Sequence, residues 1–346
     1  MESDPHRIRR AVLDHLLALI ADSPWAETLV LRGSMVMPAW VGSAAREPAD
    51  LDWVVPPSTL VPIDGLDPYP YLPDPAAVQQ WPEVADGAGA YEIWTFEEFD
   101  TGGIRVHVPP EGLQWVPAAE PEDEGPHLML RELVRRHPQA APGVRLDADS
   151  VEDAGSWVYA DDDGRPGVRV SLRWTADGPD GPRSGVVTVD FARDERLPEA
   201  PVRTAVPRGD RSGASVVRTA SPELSLAWKL LWLHADGDRA RAKDLYDAVL
   251  LAELCAGTLR PALLRRVLTR EPGHPGTLHL AGLTVRPADW AELLAANPGI
   301  RGTAPDWLAR LHAALTDLQA ALAALQEPDG RGGGKPEAAA VPGPIR

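Results

Sequence analysis

Two short apolar segments near the N-terminus, with the polar residues at their ends, constrain this chain most. Residues 29–34 read Leu-Val-Leu-Arg-Gly-Ser, and residues 50–55 read Asp-Leu-Asp-Trp-Val-Val. Both segments have the branched apolar composition of a β-strand. Because side chains alternate between the two faces of a strand, we expect Asp50 and Asp52 to point to the same side and their apolar neighbours to the other.

The chemistry of these polar residues indicates a metal and a phosphate. Two like charges side by side on a strand are unfavourable unless a cation lies between them. A divalent hard cation is the usual partner, and phosphate oxygens can complete its shell. The Gly33-Ser34 turn offers backbone N–H groups and a hydroxyl to a phosphate. The combination indicates metal-assisted phosphoryl or nucleotidyl transfer, whereas an isolated Asp-x-Asp is more often a solvated edge-strand face or a turn.

The order of these parts resembles the active-site signature of the AbiEii/AbiGii-type toxins, within the DNA-polymerase-β-like nucleotidyltransferase superfamily. The matching residues are Gly33-Ser34 and Arg46-x-x-x-Asp50-x-Asp52. Pro48 stands where a serine is common in that family. Pro38 predicts that the helix after the turn is short or kinked.

A second stretch carries the same resemblance. Residues 167–174 and 186–191 alternate in the manner of two strands joined by a Gly/Pro-rich turn. Asp190 interrupts the apolar pattern of the second strand, and a solvated outer face is the plain alternative. The resemblance implies a third metal-binding carboxylate, next to Asp50 and Asp52.

A third stretch contains two of the three lysines of the chain. Ser221-Pro222-Glu223 predicts a helix start, and Lys229 follows among apolar residues. Lys229 is either the polar position of an amphipathic helix, reaching water, or a cation that neutralises a triphosphate or the departing pyrophosphate.

The segment after that helix matches a further family element, an Arg/Lys-Asp-x-x-Asp helix, at Lys243, Asp244 and Asp247. The resemblance implies that Asp247 orients Lys229 or Lys243, and that Lys243 and Arg46 bind the nucleotide. The alternative is an ion pair between Lys243 and Asp247 on a solvated helix face, worth about 0.3–0.5 kcal/mol.

Composition limits the class of protein. The net charge of −17 argues against a broad nucleic-acid-coating surface but permits a local basic patch. The single cysteine, Cys255, cannot form an intramolecular disulfide, and we expect it to be buried in a helix. The first ten residues lack the apolar run of a signal peptide, and no stretch is long and apolar enough to span a membrane. The simplest interpretation is a cytoplasmic protein.

The sequence predicts an α/β (α+β) fold: a minimal nucleotidyltransferase core with a mixed sheet, followed by a helical C-terminal domain. The predicted domains are residues 1–200 with a Pro/Gly-rich insertion, residues 214–326, and a disordered tail, 327–346. Residues 198–213 are interpreted as the connection between the two domains. Predicted helices span 6–21, Pro126–Arg136, 221–233, 248–254, Pro261–Leu268, Pro287–Ala296 and 306–325, and further short strands span 28–31, 91–96 and 104–108.

The resemblance implies an enzyme that moves an NMP from an NTP to an acceptor hydroxyl, with two Mg²⁺ ions held by Asp50, Asp52 and Asp190. It also implies an RNA acceptor, commonly a tRNA end, and the role of a toxin in a toxin–antitoxin or phage-defence system, checked by an antitoxin partner. Two alternatives stay open. The first is a small-molecule or protein acceptor, which the acidic charge favours slightly. The second is a catalytically inert binding or immunity module, against which the intact acidic pair and Lys229 count.

Overall fold

The architecture is that of a computed structural model of the 346-residue chain. The structure describes residues 5–55, 98–101, 104–107, 126–158, 166–179, 181–193, 197–236, 240–269, 278, 280 and 283–324. The predicted strand at 91–96 and the predicted tail at 327–346 lie outside these residues, as does the Pro/Gly-rich insertion, predicted from residue 56 to about residue 90.

A mixed sheet forms the centre of the described part of the chain. Its strands are β1 (Val30–Arg32), β2 (Leu51–Val55), β5 (Gln139–Ala141), β6 (Val144–Leu146), β7 (Glu152–Val158), β8 (Pro166–Ala176), β9 (Arg183–Arg193), β10 (Val202–Pro207) and β11 (Ala214–Thr219). A separate hairpin consists of β3 (Glu98–Thr101) and β4 (Ile104–His107). The strand order in the sheet is β10-β11-β1-β2-β9-β8-β6-β5, and β7 also pairs with β8.

The middle of the sheet brings distant parts of the chain together. Strand β1 is antiparallel to β2 and parallel to β11, while β2 is parallel to β9. Strand β1 is buried along its whole length, and Leu51, Trp53 and Val54 of β2 are buried too. Strands with both faces covered have such continuous apolar runs, which explains why these two short segments lie inside the sheet.

The helices are α1 (Pro5–Ala21), α2 (Met37–Val41), α3 (Pro126–Arg136), α4 (Pro222–Asp236), α5 (Ala242–Cys255), α6 (Pro261–Leu268), α7 (Pro287–Ala296) and α8 (Ala304–Ala324). Helix α4 begins where the sequence predicts, because the hydroxyl of Ser221 accepts the N–H of Leu224 at 2.9 Å. The helix after the Gly-Ser turn is short, as Pro38 predicts: α2 has five residues and follows a 3₁₀ turn at Gly33–Met35.

Two apolar clusters cover the two faces of the sheet. Helices α1 and α3 pack against one face, which presents Leu31 of β1, Trp53 of β2 and Phe191 of β9. The opposite face presents Val30 and Val54 to a second cluster, built from the helices α4 to α8. Polar residues at the ends of β1 and β2 on this second face therefore lie next to the C-terminal helices.

The predicted mixed α/β class, with helices in the C-terminal part, is confirmed. The interpretation of residues 198–213 as a connection between domains is corrected, because β10 and β11 form a hairpin that extends the sheet through β1. The sequence does not predict this hairpin, because the segment is rich in Pro, Arg and Gly and lacks an alternating apolar pattern. Within β10, Val206 is the one buried residue. The division into residues 1–200 and 214–326 stays a prediction. No helix in the described ranges has the length and apolar character needed to cross a membrane.

Candidate active site

Four charged residues lie in register across four adjacent strands. Arg32 of β1 pairs with Asp52 of β2, Asp52 pairs with Asp190 of β9, and Asp190 pairs with Arg169 of β8. Directly opposed residues share a face of the sheet. The face toward the C-terminal helices therefore carries a row with the charge order cation, anion, anion, cation.

The two anions of this row form a cluster with Asp50. Carboxylate oxygens of Asp50, Asp52 and Asp190 all lie within 4.8 Å of one another. Burial and, after it, the charge of Asp50 raise the pKa of Asp52 to about 7. The charge of Arg32 lowers this pKa, but by less. Three carboxylates that repel one another are suitable ligands for a hard divalent cation, because the positive charge of the cation offsets their repulsion. The structure thus brings together the three carboxylates predicted to bind metal.

The Gly33-Ser34 turn lies against this cluster. Gly33 has φ +79°, and a Cβ there would clash with Oδ2 of Asp52, so the turn and the carboxylate fit only without a side chain. Ser34 is 2% exposed, and its hydroxyl has no hydrogen-bond partner among the described residues. A buried hydroxyl without a partner is costly. A phosphate oxygen of a bound nucleotide is a partner of suitable chemistry.

Arg169 is a component of this site that the sequence analysis missed. Its Nε and Nη2 donate to the two carboxylate oxygens of Asp190 at 2.7 and 2.6 Å, and its side chain is 49% exposed. The predicted hairpin could have indicated this contact, because pairing its two strands about the turn places residue 169 opposite residue 190. A cation that binds Asp190 must be accommodated next to this guanidinium.

A second charged group joins the β1–β2 connection to helices α4 and α5. The guanidinium of Arg46 donates to both oxygens of Asp247, at 2.9 to 3.2 Å. Lys229 Nζ lies 2.5 Å from Asp244 and 3.3 Å from Asp247. All four residues are buried, and Asp247 is fully inaccessible. We call this group the buried ion network.

The network changes the interpretation of its members. Burial lowers the pKa of Lys229, but Asp244 and Asp247 outweigh that effect and raise it above the ordinary value, so the ammonium stays charged. The alternative in which Lys229 reaches water is wrong, since the residue is 6% exposed. Asp247 contacts Lys229, in line with its predicted orienting role. Arg46, predicted to bind nucleotide, has its guanidinium engaged by Asp247, and its contact with nucleotide stays a prediction.

Aromatic side chains connect the network to the charged row. The guanidinium of Arg32 lies 5.1 Å from the ring centroid of Trp228 and 5.6 Å from that of Trp232. Lys229 Nζ lies 5.1 Å from the ring of Trp232. These cation–π contacts hold two positive charges on the same side of the sheet as the carboxylates.

Lys243 lies on the outer side of the site. It lines a cavity of about 470 Å³ together with Arg46, Pro48 and Ala49, the residues that lead into Asp50. Its charge acts to lower the pKa of Asp52, against the effects of burial and of Asp50. Lys243 therefore lies near the acidic cluster, and its contact with nucleotide stays a prediction.

The mixed sheet carries converging carboxylates beside a Gly-Ser turn, which is the arrangement predicted for a nucleotidyltransferase. The chain belongs to the family described as "Nucleotidyl transferase AbiEii toxin, Type IV TA system", which matches residues 129–327. The predicted resemblance is confirmed. The matched range contains Asp190, Lys229 and Asp247, whereas the Gly-Ser turn and the Asp-x-Asp motif precede it. Membership supports nucleotidyl transfer in a toxin–antitoxin context and implies a nucleotide substrate, a divalent metal and an antitoxin partner.

Two solved structures resemble the fold at low sequence identity. One is JHP933 from Helicobacter pylori, with a TM-score of 0.45 and 12% identity over 94% of this chain and 96% of that chain. The other is a candidate nucleotidyltransferase from H. pylori, with a TM-score of 0.38 and 12% identity over 94% of this chain and 100% of that chain. No curated protein matches the sequence. The family assignment accordingly rests on the match over residues 129–327.

Proposed function

We propose that this protein transfers an NMP from an NTP to a hydroxyl of an RNA acceptor, with a tRNA end as the first candidate. The observation that carries the proposal is the meeting of Asp52 and Asp190, on the parallel strands β2 and β9, with Asp50, which immediately precedes β2. Their ligand atoms lie within 4.8 Å of one another. These carboxylates would hold two Mg²⁺ ions. When bound, the ions supply Lewis-acid stabilisation of the phosphate charge and lower the pKa of the acceptor hydroxyl.

The Gly33-Ser34 turn would bind the β- and γ-phosphates of the NTP. The absence of a side chain at Gly33 lets the backbone approach Asp52, and the buried hydroxyl of Ser34 lacks a partner among the described residues. Both features support a phosphate that is held by the backbone and by Oγ next to the carboxylates.

Positive charge around the cluster of Asp50, Asp52 and Asp190 would stabilise the departing pyrophosphate. The acceptor oxygen forms its bond to the α-phosphorus while the bond to pyrophosphate breaks, so negative charge grows on the leaving group. Arg32 and Lys229 provide fixed cations on this side of the sheet, and Asp247 orients Lys229. Because these groups are held before the reaction, they need little rearrangement during it.

The acceptor is tested directly with purified protein, each labelled NTP in turn, Mg²⁺ and total RNA. We expect label to enter RNA 3′ ends with one preferred NTP, and the label to be lost in Asp52→Asn. Labelling of a small molecule or of protein alone would reject the RNA acceptor while retaining nucleotidyl transfer. Absence of any transfer would favour the inert binding module.

The biological role that we propose is that of a cytoplasmic toxin whose modification of RNA is checked by an antitoxin. Family membership supports the toxin–antitoxin context. Co-expression with a neighbouring antitoxin should restore growth of cells that express the wild-type protein. Asp52→Asn should relieve the growth arrest without the antitoxin, and persistent arrest by this variant would separate toxicity from nucleotidyl transfer.

A further inference from the structure

Two adjoining cavities lie beside the segment that precedes Asp50. The first, about 470 Å³, lies beside the residues that precede Asp50 and is also lined by Arg9, Arg241 and Lys243. The second, about 650 Å³, lies between α1 and the β10–β11 loop and is lined by Arg7, Arg208 and Arg211 among others. They share His6 and Glu47 in their linings, so the two cavities are neighbours. We call the two cavities together the basic cleft.

The charge of this cleft is opposite to that of the whole molecule. Nine lysine or arginine side chains and five carboxylates line the two cavities, in a chain with a net charge of −17. Three of the nine cations, Arg10, Arg46 and Arg286, are in ion pairs. The other six have no ion-pair partner within 4 Å among the described residues: Arg7, Arg9, Arg208, Arg211, Arg241 and Lys243. An acid-rich chain offers many partners, and the clustering of six cations without one favours an external polyanion.

The far end of the cleft is held in a fixed geometry. The ion pair between Arg10 and Asp14 of α1 is buried, with a distance of 2.9 Å. Arg10 also donates to the carbonyl of Pro207 at 2.7 Å, and Asp14 accepts the N–H of Gly209 at 2.8 Å. These contacts fasten the β10–β11 loop to α1, so the positions of the loop's cations are set before any ligand arrives.

Backbone strain in that loop points the same way. Arg211 has φ +61°, the left-handed region in which a residue with a side chain is disfavoured. Among the described residues it is the one non-glycine residue with positive φ. A glycine or asparagine would relieve the strain, yet the position holds an arginine that lines the cleft. Strain retained at a charged, exposed position is typical of a binding loop.

We propose that the basic cleft binds the phosphate backbone of the acceptor RNA and guides its end to Asp50 and Asp52. This inference rests on the proposed function and names the surface through which the acceptor is recognised. A polyanion fits better than a single nucleotide, because the cations are spread over two cavities and the Gly-Ser turn already offers a phosphate site. Contacts to the backbone position an RNA without reading its sequence.

The test compares two double variants with equal loss of charge. Arg208→Ser with Arg211→Gly removes two cations of the cleft and relieves the strain at residue 211. Arg145→Ser with Arg265→Ser removes two exposed arginines that do not line the cleft. Labelled bulk tRNA is titrated by fluorescence anisotropy between 50 and about 300 mM salt, and NTP affinity is measured on the same proteins.

We expect the cleft variant to bind tRNA about tenfold more weakly than the wild type. The slope of log K against log salt concentration should also be smaller in magnitude by about 1.4, because each lost phosphate contact to a single strand contributes about 0.7. In the transfer assay its KM for RNA rises while kcat and NTP affinity keep the wild-type values. The control variant should match the wild type in all of these measurements. Both variants should unfold at the same temperature as the wild type. If the cleft double variant melts early, Arg7→Ser on the exposed face of α1 is the second test, with the same expected direction.

Other outcomes would overturn the proposal in distinguishable ways. Equal salt slopes for the cleft and control variants, with transfer to RNA intact, would reject the cleft and leave the proposed function standing. A fall in NTP affinity without a change for tRNA would assign the cleft to the nucleotide instead. A wild-type enzyme that labels no RNA would reject the RNA acceptor, and the cleft proposal with it.

Discussion

At the scale of single residues, the protonation of Asp52, a proposed metal ligand, makes stability depend on pH. Its pKa in the folded protein is raised to about 7, against about 3.9 for an unfolded aspartate. A raised carboxyl pKa means that stability is fully present below about pH 4 and is lost as the pH rises through 7. Without metal, the folded protein at pH 8 therefore bears the full repulsion between its carboxylates.

We predict that Asp52→Asn abolishes transfer but stabilises the metal-free protein at pH 8, by on the order of 1–4 kcal/mol. The measurement is chemical unfolding in EDTA at pH 5 and pH 8. The stability difference between the variant and the wild type should be larger at pH 8 and should shrink when Mg²⁺ is added to the wild type. Asp149→Asn, at a side chain that is 90% exposed, is the control and should show neither effect. Near wild-type transfer by Asp52→Asn would remove the metal assignment.

Arg169 gives a second prediction at this scale. Its guanidinium neutralises Asp190 in the metal-free state, so its removal should make that state less favourable and a bound cation more favourable. We expect Arg169→Gln to tighten Mn²⁺ binding about tenfold, roughly 1.4 kcal/mol, in isothermal titration calorimetry. Arg173→Gln, four residues along the same strand, is the control, since Arg173 lies 3.9 Å from Asp147 and not beside the triad. Equal or weaker Mn²⁺ binding by Arg169→Gln would mean that the arginine supports the site rather than competing with the cation.

At the scale of elements, the turn between β1 and α2 requires a glycine at position 33, and Gly42 after α2 offers a comparison. Gly33 and Gly42 both have positive φ, at +79° and +57°. A Cβ at Gly33 would clash with Asp52, whereas a Cβ at Gly42 would have no atom within 4 Å. Both positions therefore have a positive φ, which disfavours a side chain, and a clash with Asp52 is added at Gly33.

We predict that Gly33→Ala abolishes transfer and weakens Mn²⁺ binding, while Gly42→Ala retains both. Each substitution should cost about 1–3 kcal/mol of stability, because an added Cβ is disfavoured at positive φ, and Gly42 with ψ −129° lies in a region that glycine alone favours. Calorimetric Mn²⁺ binding and thermal unfolding of both variants separate the two effects. Similar metal affinity in both variants would show that the clash with Asp52 is relieved without consequence for the site.

The buried ion network makes a further prediction, on the packing of α4 against α5. Lys229→Met leaves Asp244 and Asp247 buried with one cation fewer, and breaking a buried pair costs about 3–5 kcal/mol. Lys229→Arg keeps the charge but not the shape, so it should lower the transfer rate at least about tenfold with a smaller loss of stability. The double variant Lys229→Met with Asp244→Leu should recover much of the stability and none of the activity. Wild-type turnover in Lys229→Arg would remove Lys229 from the reaction.

The same elements show what the sequence could and could not predict. Proline at the helix start marks α3, α6 and α7, and their predicted limits agree with the structure. Strand alternation placed Asp190 on the polar face, and the structure adds that this face is covered by helices and that the residue is buried. The pairing of Arg46 with Asp247, 201 residues apart, has no local pattern, because ion pairs between distant segments depend on the tertiary packing alone.

At the scale of the whole molecule, the first 55 residues complete a sheet whose other strands lie more than 80 residues further along the chain. Strands β1 and β2 stand between β11 and β9 in the strand order. Without them, β9 and β11 would each present an unpaired edge, and apolar residues of both clusters would be exposed.

We predict that a fragment of residues 126–346, which contains the whole of the matched family range, does not fold alone. Circular dichroism should show no cooperative thermal transition for the fragment, and gel filtration should show aggregation. Supplying residues 1–55 as a separate chain during refolding should restore a transition. A cooperative melt of the isolated fragment would mean that the C-terminal helices and the remaining strands suffice for folding.

The parallel pairing of β2 with β9 also has a consequence for the time at which the protein becomes active during its synthesis. Asp52 leaves the ribosome more than 130 residues before Asp190, and the lysine and aspartates of α4 and α5 emerge later still. Pairing between such distant segments forms late in folding, since a long loop must close first. A growing chain therefore carries no complete candidate active site until about three quarters of it has been translated. The cell would thus have an interval in which the proposed toxin exists only as an incomplete polypeptide.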